Sequence, residues 1–282
     1  MIPVVWRRGD LVYPLSLEDL EIPPAQLHTL GDAAVLDAPR VAVVGTRIPT
    51  PYGERMARAI ATGLARAGVC VISGMARGID AIAHRSALEV GGRTVAVMGT
   101  GIDVPYPVRH RELHQKLSEH GLVLSEYGSG MRAHKGAFPR RNRIIAALAP
   151  LTIVVEAGHQ SGALNTADHA LNLGRTVAAV PGQIDSPQSI GANGLIRDGA
   201  TPIFDMADVF ALAGVAAPAR GRDVELDEPE ARVMDALRNG GLDPDELSNR
   251  ANMPARECLA AVSSLEILGL VECLLTGEVR RR

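Results

Sequence analysis

Residues 40–46 read RVAVVGT, and residues 52–68 read YGERMARAIATGLARAG. The first is a short apolar run ending in Gly, as expected of a strand buried on both faces. The second sets Met56, Ile60 and Leu64 at helical spacing, with Gly68 as the stop. The pattern then repeats. VCVISGMARGID (69–80) gives a strand and turn, AIAHRSALEVGG (81–92) a helix, and RTVAVMGTGID (93–103) a third strand. ELHQKLSEHG (112–121) and LVLSEY (122–127) continue it. Beyond Pro150, LTIVVEA, GALNTADHALNLG and RTVAAVPG read as strand, helix and strand. Such alternation predicts βαβ units, and hence an α/β fold with a parallel sheet and helices on both faces.

In such a sheet, ligands bind where the carboxyl ends of the strands release the chain into loops. Those ends read GTR, SGMARG, GTG, SEYGSG, EAGHQSG and PGQ, and nearly every one is rich in Gly and Ser. A single such Gly serves a turn; so many together suggest close approach of a ligand to the backbone.

Apolar residues make up 46% of the chain and charged residues 22%, so a packed core is expected. Aromatics are only 3%, which leaves the core to Ala, Val, Leu and Ile. Cys70, Cys258 and Cys273 lack metal-ligand spacing and are expected as buried thiols in a reducing compartment. No window is long and apolar enough to span a bilayer, and no charged-then-apolar leader opens the chain. A cytoplasmic protein with no membrane partner is the expectation. A formal net charge of −3 does not announce a nucleic-acid binder, so that reading needs local support.

Residues 1–40 are rich in Pro and Leu without strong periodicity, and an irregular lead-in packed on the sheet is expected there. The α/β domain is expected over 41–213, and residues 214–228 read as a linker. Over 229–282, PEARVMDALRN, DPDELSNRA and PARECLAAVSSLEILG give three helices, the last with Leu259, Val262, Leu265 and Leu268 on one side. LVECLLTGEVRR closes with a hairpin whose tip is Thr-Gly. This order predicts a winged helix-turn-helix. Its third helix carries Arg256 and Glu257 and then mostly Ala, Ser and apolar residues, which suits a protein-interaction or regulatory module better than major-groove readout.

The turn GTRIPTPYG (45–53) departs from the dinucleotide pattern G-x-G-x-x-G, since Arg47 stands at the second glycine and VCVIS ends in Ser. Arg47 at a strand end suits an anion, with neighbouring backbone N–H groups adding donors, or serves as an ordinary loop arginine. Ser73 and Gly74 occupy the second strand end. Asp80 and His84 share a helix face at i, i+4, but no nucleophile elbow accompanies them, and a dipole-complementing Asp beside a packed His is the plainer reading. Glu156 is explained equally by loop amides or by acid–base work.

Between Tyr127 and Pro150 there is no Asp or Glu, while Arg132, His134, Lys135, Arg140, Arg141 and Arg143 all fall there. Lysine occurs only at 116 and 135, so Lys135 in a Gly- and His-containing loop stands out. Cations of this kind fix a phosphate backbone, and Phe138 offers a face on which an unpaired base can stack.

VAVVGTR, SGMARGIDAIAH, TVAVMGTGIDVPYP, SEYGSG, FPRRNRIIAAL, VVEAGHQSGALNTADHA, GRTVAAVPG and GANGLIRDGA occur in this order. Together they resemble the DNA-processing protein A (DprA, also Smf) family of bacterial recombination mediators, from about Tyr13 to Phe210. The C-terminal segment resembles the winged helix that many members append. The resemblance implies an extended Rossmann fold that binds and protects single-stranded DNA and loads the RecA recombinase onto it during natural transformation. It also implies a homodimer joined through the Rossmann domain, for which Leu195 and Ile196 are expected. The family's Gly-Ser-Arg turn falls on Gly45-Thr46-Arg47, with Thr in place of Ser, and its DNA-contacting lysine and aromatic fall on Lys135 and Phe138. Arg140, Asn142 and Arg143 of the same motif, with Ser73, Gly74 and Ser161 at strand ends, complete the expected DNA contacts. Some members carry a helical domain ahead of the Rossmann fold, so this sequence is compatible with a piece of a longer chain. No cofactor and no catalytic step are expected. The competing reading is a Rossmann-type enzyme that binds or hydrolyses nucleotides, related to nucleoside-monophosphate phosphoribohydrolases. Those share a P-G-G-x-G-T-x-x-E pattern, and neither its Gly-Thr turn nor the Glu after it appears here.

Overall fold

In the computed structural model, residues 2–218, 226–267, 270–274 and 277–281 are described. Residues 219–225 of the expected linker, Leu268, Thr276 and Arg282 lie outside them. The chain divides into two compact units, Met1–Pro218 and Ala219–Arg282, so the division falls inside the stretch expected as a linker.

Residues 1–40 differ from the expected irregular lead-in. Val4–Arg7 (β1) and Gln26–Gly31 (β2) are strands, paired antiparallel with each other. β1 buries only Trp6, so a four-residue edge strand leaves almost no period-2 signal in the sequence. Two short 3₁₀ turns, Leu15–Leu17 and Ala33–Asp37, supply Leu17 and Val35 to the core.

The sheet continues with β3 (Arg40–Val44), β4 (Cys70–Ser73), β5 (Thr94–Met98), β6 (Leu122–Ser125), β7 (Leu151–Val154), β8 (Thr176–Ala179) and β9 (Thr201–Pro202). Its nine strands run in the order β1-β2-β6-β5-β4-β3-β7-β8-β9. β3 to β9 are mutually parallel, and β2 joins β6 antiparallel. Helices α1 (Pro51–Arg66), α2 (Ile79–Glu89), α3 (Arg111–His120), α4 (Ala137–Leu148), α5 (Gly162–Asn172), α6 (Ile190–Arg197) and α7 (Met206–Ala213) complete this unit.

Each face of the sheet has its own apolar layer because successive strand residues point to opposite sides. Val41 and Val43 of β3 join Ile60 and Leu64 of α1, Ala83 of α2 and Val209 of α7. Ala42 and Val44 join Ile144 and Leu148 of α4 and Ala167 of α5. Alanine lets these helices approach the sheet closely, and aliphatic side chains carry the burial, as a chain poor in aromatics requires. Truncating one of them, such as Leu64 to Ala, removes about 2–5 kcal/mol.

The second unit holds α8 (Glu228–Ala236), α9 (Pro244–Arg250), α10 (Ala255–Ile267) and an antiparallel pair, β10 (Val271–Cys273) with β11 (Val279–Arg281). This is the winged-helix order. Asp227 and Glu230 form a capping box at the start of α8. Val262 and Leu265 are buried as expected, but Leu259 is half exposed and Cys258 takes the inward position. Cys273 is also exposed, whereas Cys70 and Cys258 are buried, and burial pushes the Cys70 thiol up to about 12. Among the described residues no helix is long and apolar enough to cross a membrane.

Asp80 and His84 do not work as a pair. His84 is fully buried, with Nδ1 2.7 Å from the Thr94 hydroxyl. Burial first, then Arg141 and His110, hold its pKa down at about 3. In the unfolded chain it titrates near ~6.5, so between the two values only the unfolded chain takes the proton. This contribution to stability is therefore complete above the unfolded value and is lost as the pH falls toward the folded one. Urea unfolding should register a loss of about 2 kcal/mol between pH 8 and pH 5 from this group, absent in His84→Gln.

Candidate nucleic-acid interface

β3 and β7 lie side by side, with β3 feeding α1 and β4 on one side and β7 feeding α5 and β8 on the other. The loops leaving them diverge, and a crevice opens at such a switch point. Here it is a cavity of about 910 Å³, walled by residues 44–48 at the end of β3, 158–162 after β7, and 133–135, 138, 139, 141 and 142 at the entry to α4.

The wall after β3 is fixed by backbone contacts. Thr46 N donates to the Glu156 carbonyl at 2.7 Å, and Ile79 N donates to the Thr46 carbonyl at 3.2 Å. Gly78 has φ +74°, and a Cβ there would stand 2.3 Å from the Thr46 carbonyl, so only glycine lets the two turns meet. Gly45 is equally confined, since its Cβ would sit 2.6 Å from Ile79. The Thr46 hydroxyl accepts from Ile48 N at 3.3 Å and braces the turn. Arg47 projects from this rigid base. Its guanidinium hangs 5.7 Å from the Phe138 ring centroid, a cation–π distance, and it makes no ion pair among the described residues.

The arginines of α4 divide in a way the acid-free interval does not suggest. Glu126 stands one residue before that interval. It accepts from Arg140 at 3.2 Å and from Arg143 at 2.6 Å. Neither arginine lines the cavity, and both are held in a local ion-pair network through Glu126. Arg141 is buried, and its Nη1 donates to the carbonyls of Gly74, at 2.6 Å, and Val97. Burial is the main cause that brings its pKa down to about 10, with Asp80 opposing, so it remains charged at neutral pH. Asp80 lines the cavity floor, but its carboxylate accepts from Gly74 N and Ala76 N. Burial, foremost, raises its pKa. Lys135 lines the cavity, is exposed, and has no ion pair among the described residues.

Ser73 and Gly74 do not line the cavity. The Ser73 hydroxyl is buried and donates to the Val43 carbonyl at 2.7 Å. Gly74 is glycine because a Cβ there would fall 2.5 Å from the Arg141 guanidinium, not because a ligand approaches it. Asn142 lines the cavity while its amide donates to the Gly162 carbonyl and to Asn165, tying α4 to the loop before α5. Ser161 also lines the cavity and caps α5 through Ala163 N at 3.3 Å. Leu195 and Ile196 are half-buried on α6, packed against one sheet face.

The cavity thus gathers Gly45, Thr46, Arg47, Lys135, Phe138, Asn142 and Ser161 from the expected contacts and leaves out Ser73, Gly74, Arg140 and Arg143. It adds Tyr106, whose ring centroid is 5.0 Å from that of Phe138. The scarcity of aromatics was the available signal for that residue. Glu156, in contrast, is occupied: its carboxylate accepts from Thr50 N at 2.8 Å and from the Thr50 hydroxyl at 2.6 Å, at the start of α1.

The Glu126 network makes a stability prediction. Side chains of Glu126 and Arg143 are each only 12% exposed, whereas that of Arg140 is 55% exposed. Glu126→Ala should cost about 3–5 kcal/mol in urea unfolding by stranding the Arg143 charge, and Arg140→Ala no more than about 1 kcal/mol.

The family model of DNA recombination-mediator protein A matches residues 5–214, and that of the DprA winged helix domain matches residues 217–274. A relative described as DNA processing protein DprA, from Mycobacterium tuberculosis, is 42% identical over 261 residues, covering 89% of this chain and 67% of its own length. The crystal structure of DNA processing protein A from Streptococcus pneumoniae superposes with a TM-score of 0.71 at 40% identity, over 74% of this chain and 73% of that one. DNA processing protein A from Helicobacter pylori, solved for its single-stranded DNA binding mode, gives 0.69 at 31% identity, over 75% of this chain and 96% of that one. With its sheet and its C-terminal unit each matched by a model of that family, the chain belongs to the DprA (Smf) family of DNA processing proteins.

Proposed function

We propose that the chain binds single-stranded DNA in the cavity between the β3 and β7 loops, without reading sequence, and takes part in recombination by protecting the strand and passing it to RecA. The observation that carries this reading is that Arg47 and Lys135, neither ion-paired among the described residues, line one cavity with the Phe138 ring at the switch point of the sheet. Cations hold phosphates by displacing counterions, and a ring stacks on any base because every base has a π-face. The single-stranded DNA binding mode of the Helicobacter pylori relative supports the same ligand. The start of α4, with buried Arg141 behind it, adds a positive field.

Binding alone suffices for this role, and no chemical step is proposed. The acids nearest the cavity support that reading, since Asp80 faces loop amides and Glu156 faces Thr50. We further propose that two copies associate through the sheet-bearing unit by way of Leu195 and Ile196, which raises avidity by placing two cavities on one strand. The winged-helix unit is proposed as an interaction module. Its α10 carries both Arg256 and Glu257 near its start.

Affinity for oligo-dT at several salt concentrations tests the assignment. Arg47→Ala and Lys135→Ala should each weaken binding and lower the salt slope by about 0.7–1. Phe138→Ala should weaken it by about 1–3 kcal/mol with the slope kept. Arg140→Ala, whose charge Glu126 already balances, should change the slope less than either. Unchanged affinity in the first three variants, or base release from nucleoside monophosphates, would overturn the reading.

A further inference from the structure

The chain has one Trp, four Tyr and three Phe, and most are committed elsewhere. Trp6, Tyr13 and Phe210 are buried in the core. The Tyr52 hydroxyl donates to the Pro181 carbonyl, and Tyr127 stands edge-on to His134. Among the described residues, Tyr106 and Phe138 are the Phe, Tyr or Trp side chains that line the cavity.

Phe138 is half-buried. Its ring lies against Gly99, where a Cβ would come within 2.9 Å, and Arg47 hangs over it. Tyr106 adjoins it at 5.0 Å with the ring planes tilted by 37°, and 41% of its surface is exposed. No hydrogen bond among the described residues uses its hydroxyl. Yet the backbone that presents this ring is held at several points. The Thr100 hydroxyl donates to the Val104 carbonyl at 2.7 Å, and Gly101 N donates to the Met131 carbonyl at 2.8 Å. On the other side, His110 N donates to the Pro107 carbonyl, and His110 Nδ1 lies 3.0 Å from the Met75 carbonyl. A ring already fixed in position loses little conformational entropy when a ligand packs on it.

From this juxtaposition we infer that Tyr106 is a further DNA-contacting residue: a second stacking platform that takes the base next to the one on Phe138. The inference rests on the single-stranded DNA reading of the cavity. Two tilted, adjoining rings then form one apolar ledge along which consecutive unpaired bases pack, with Arg47 and Lys135 holding the backbone beside it.

The test uses the full chain and oligo-dT, with a single 5-iodouracil replacing thymine for photo-crosslinking. Tyr106→Ala should weaken binding by about 5- to 150-fold, the range of one base–aromatic stack, with the salt slope unchanged. Tyr106→Phe should bind like the wild type, because stacking does not need the hydroxyl. In a Phe138→Ala background, Tyr106→Ala should cause a further loss, and irradiation of the wild type should link the probe to the peptide containing Tyr106. Full affinity in Tyr106→Ala overturns the inference. So does the absence of any further loss in the Phe138→Ala background, which would mean that Tyr106 acts only by supporting Phe138. If Arg47→Ala and Lys135→Ala lose binding while Tyr106→Ala does not, only the inference about Tyr106 falls. If the wild type does not bind oligo-dT, the reading of the cavity falls with it.

Discussion

A single buried guanidinium fixes the side of the cavity built by the start of α4. Arg141 sends Nη1 to the carbonyls of Gly74, just past β4, and Val97, in β5. A charge removed from water is tolerated only when its donors find partners, so the start of α4 is held against two strand ends. Phe138 lies less than one helical turn before Arg141, and Lys135 precedes the helix by two residues. Both inherit their placement from that attachment. Asn142, next in the chain, extends the same restraint to the opposite wall through Gly162 and Asn165. The start of α4, with Phe138 on it, is therefore braced against both walls of the cavity.

The three arginines that look alike in AFPRRNRIIAAL have different tasks because a helix points them in different directions. Residues 140 and 143 are three apart and share a face, which meets Glu126, while residue 141 turns toward the strand ends. The positive charge left to face a polyanion comes mainly from outside that run, at Arg47 and Lys135. A chain of net charge −3 thus still presents cations at one cavity. Within α4 the charges of Arg140 and Arg143 meet Glu126, while Arg47 and Lys135 line the cavity without an ion pair among the described residues.

The parallel strands, their helices, the winged-helix order and the location of the cavity were legible in the sequence, because each rests on periodicity or on strand-end composition. What was not legible depends on contacts between distant residues. Glu126 lies 14 and 17 residues from its partners, so counting acids within a window misses it. Gly74 looks like a glycine cleared for a ligand, yet the space it leaves is taken by a side chain 67 residues away. Leu259 and Cys258 exchange inward and outward positions because the pitch of α10 is set by its packing on α8 and α9, not by the most apolar choice at each site. Tyr106 is one aromatic in a loop whose hydrogen bonds are invisible until the chain is folded.

The two strands before residue 40 matter for a reason unrelated to DNA. β2 pairs along β6 from His28 opposite Ser125 to Gly31 opposite Leu122, so it occupies the hydrogen-bonding edge that the parallel part of the sheet would otherwise present. A fragment starting at Val41 would keep every residue of the cavity and still leave β6 with a row of unpaired N–H and C=O groups. Such an edge is a template for another chain. With β1 and β2 in place the sheet ends instead in a strand of four residues. The segment of the sequence with the least pattern is thus the one that covers the β6 edge.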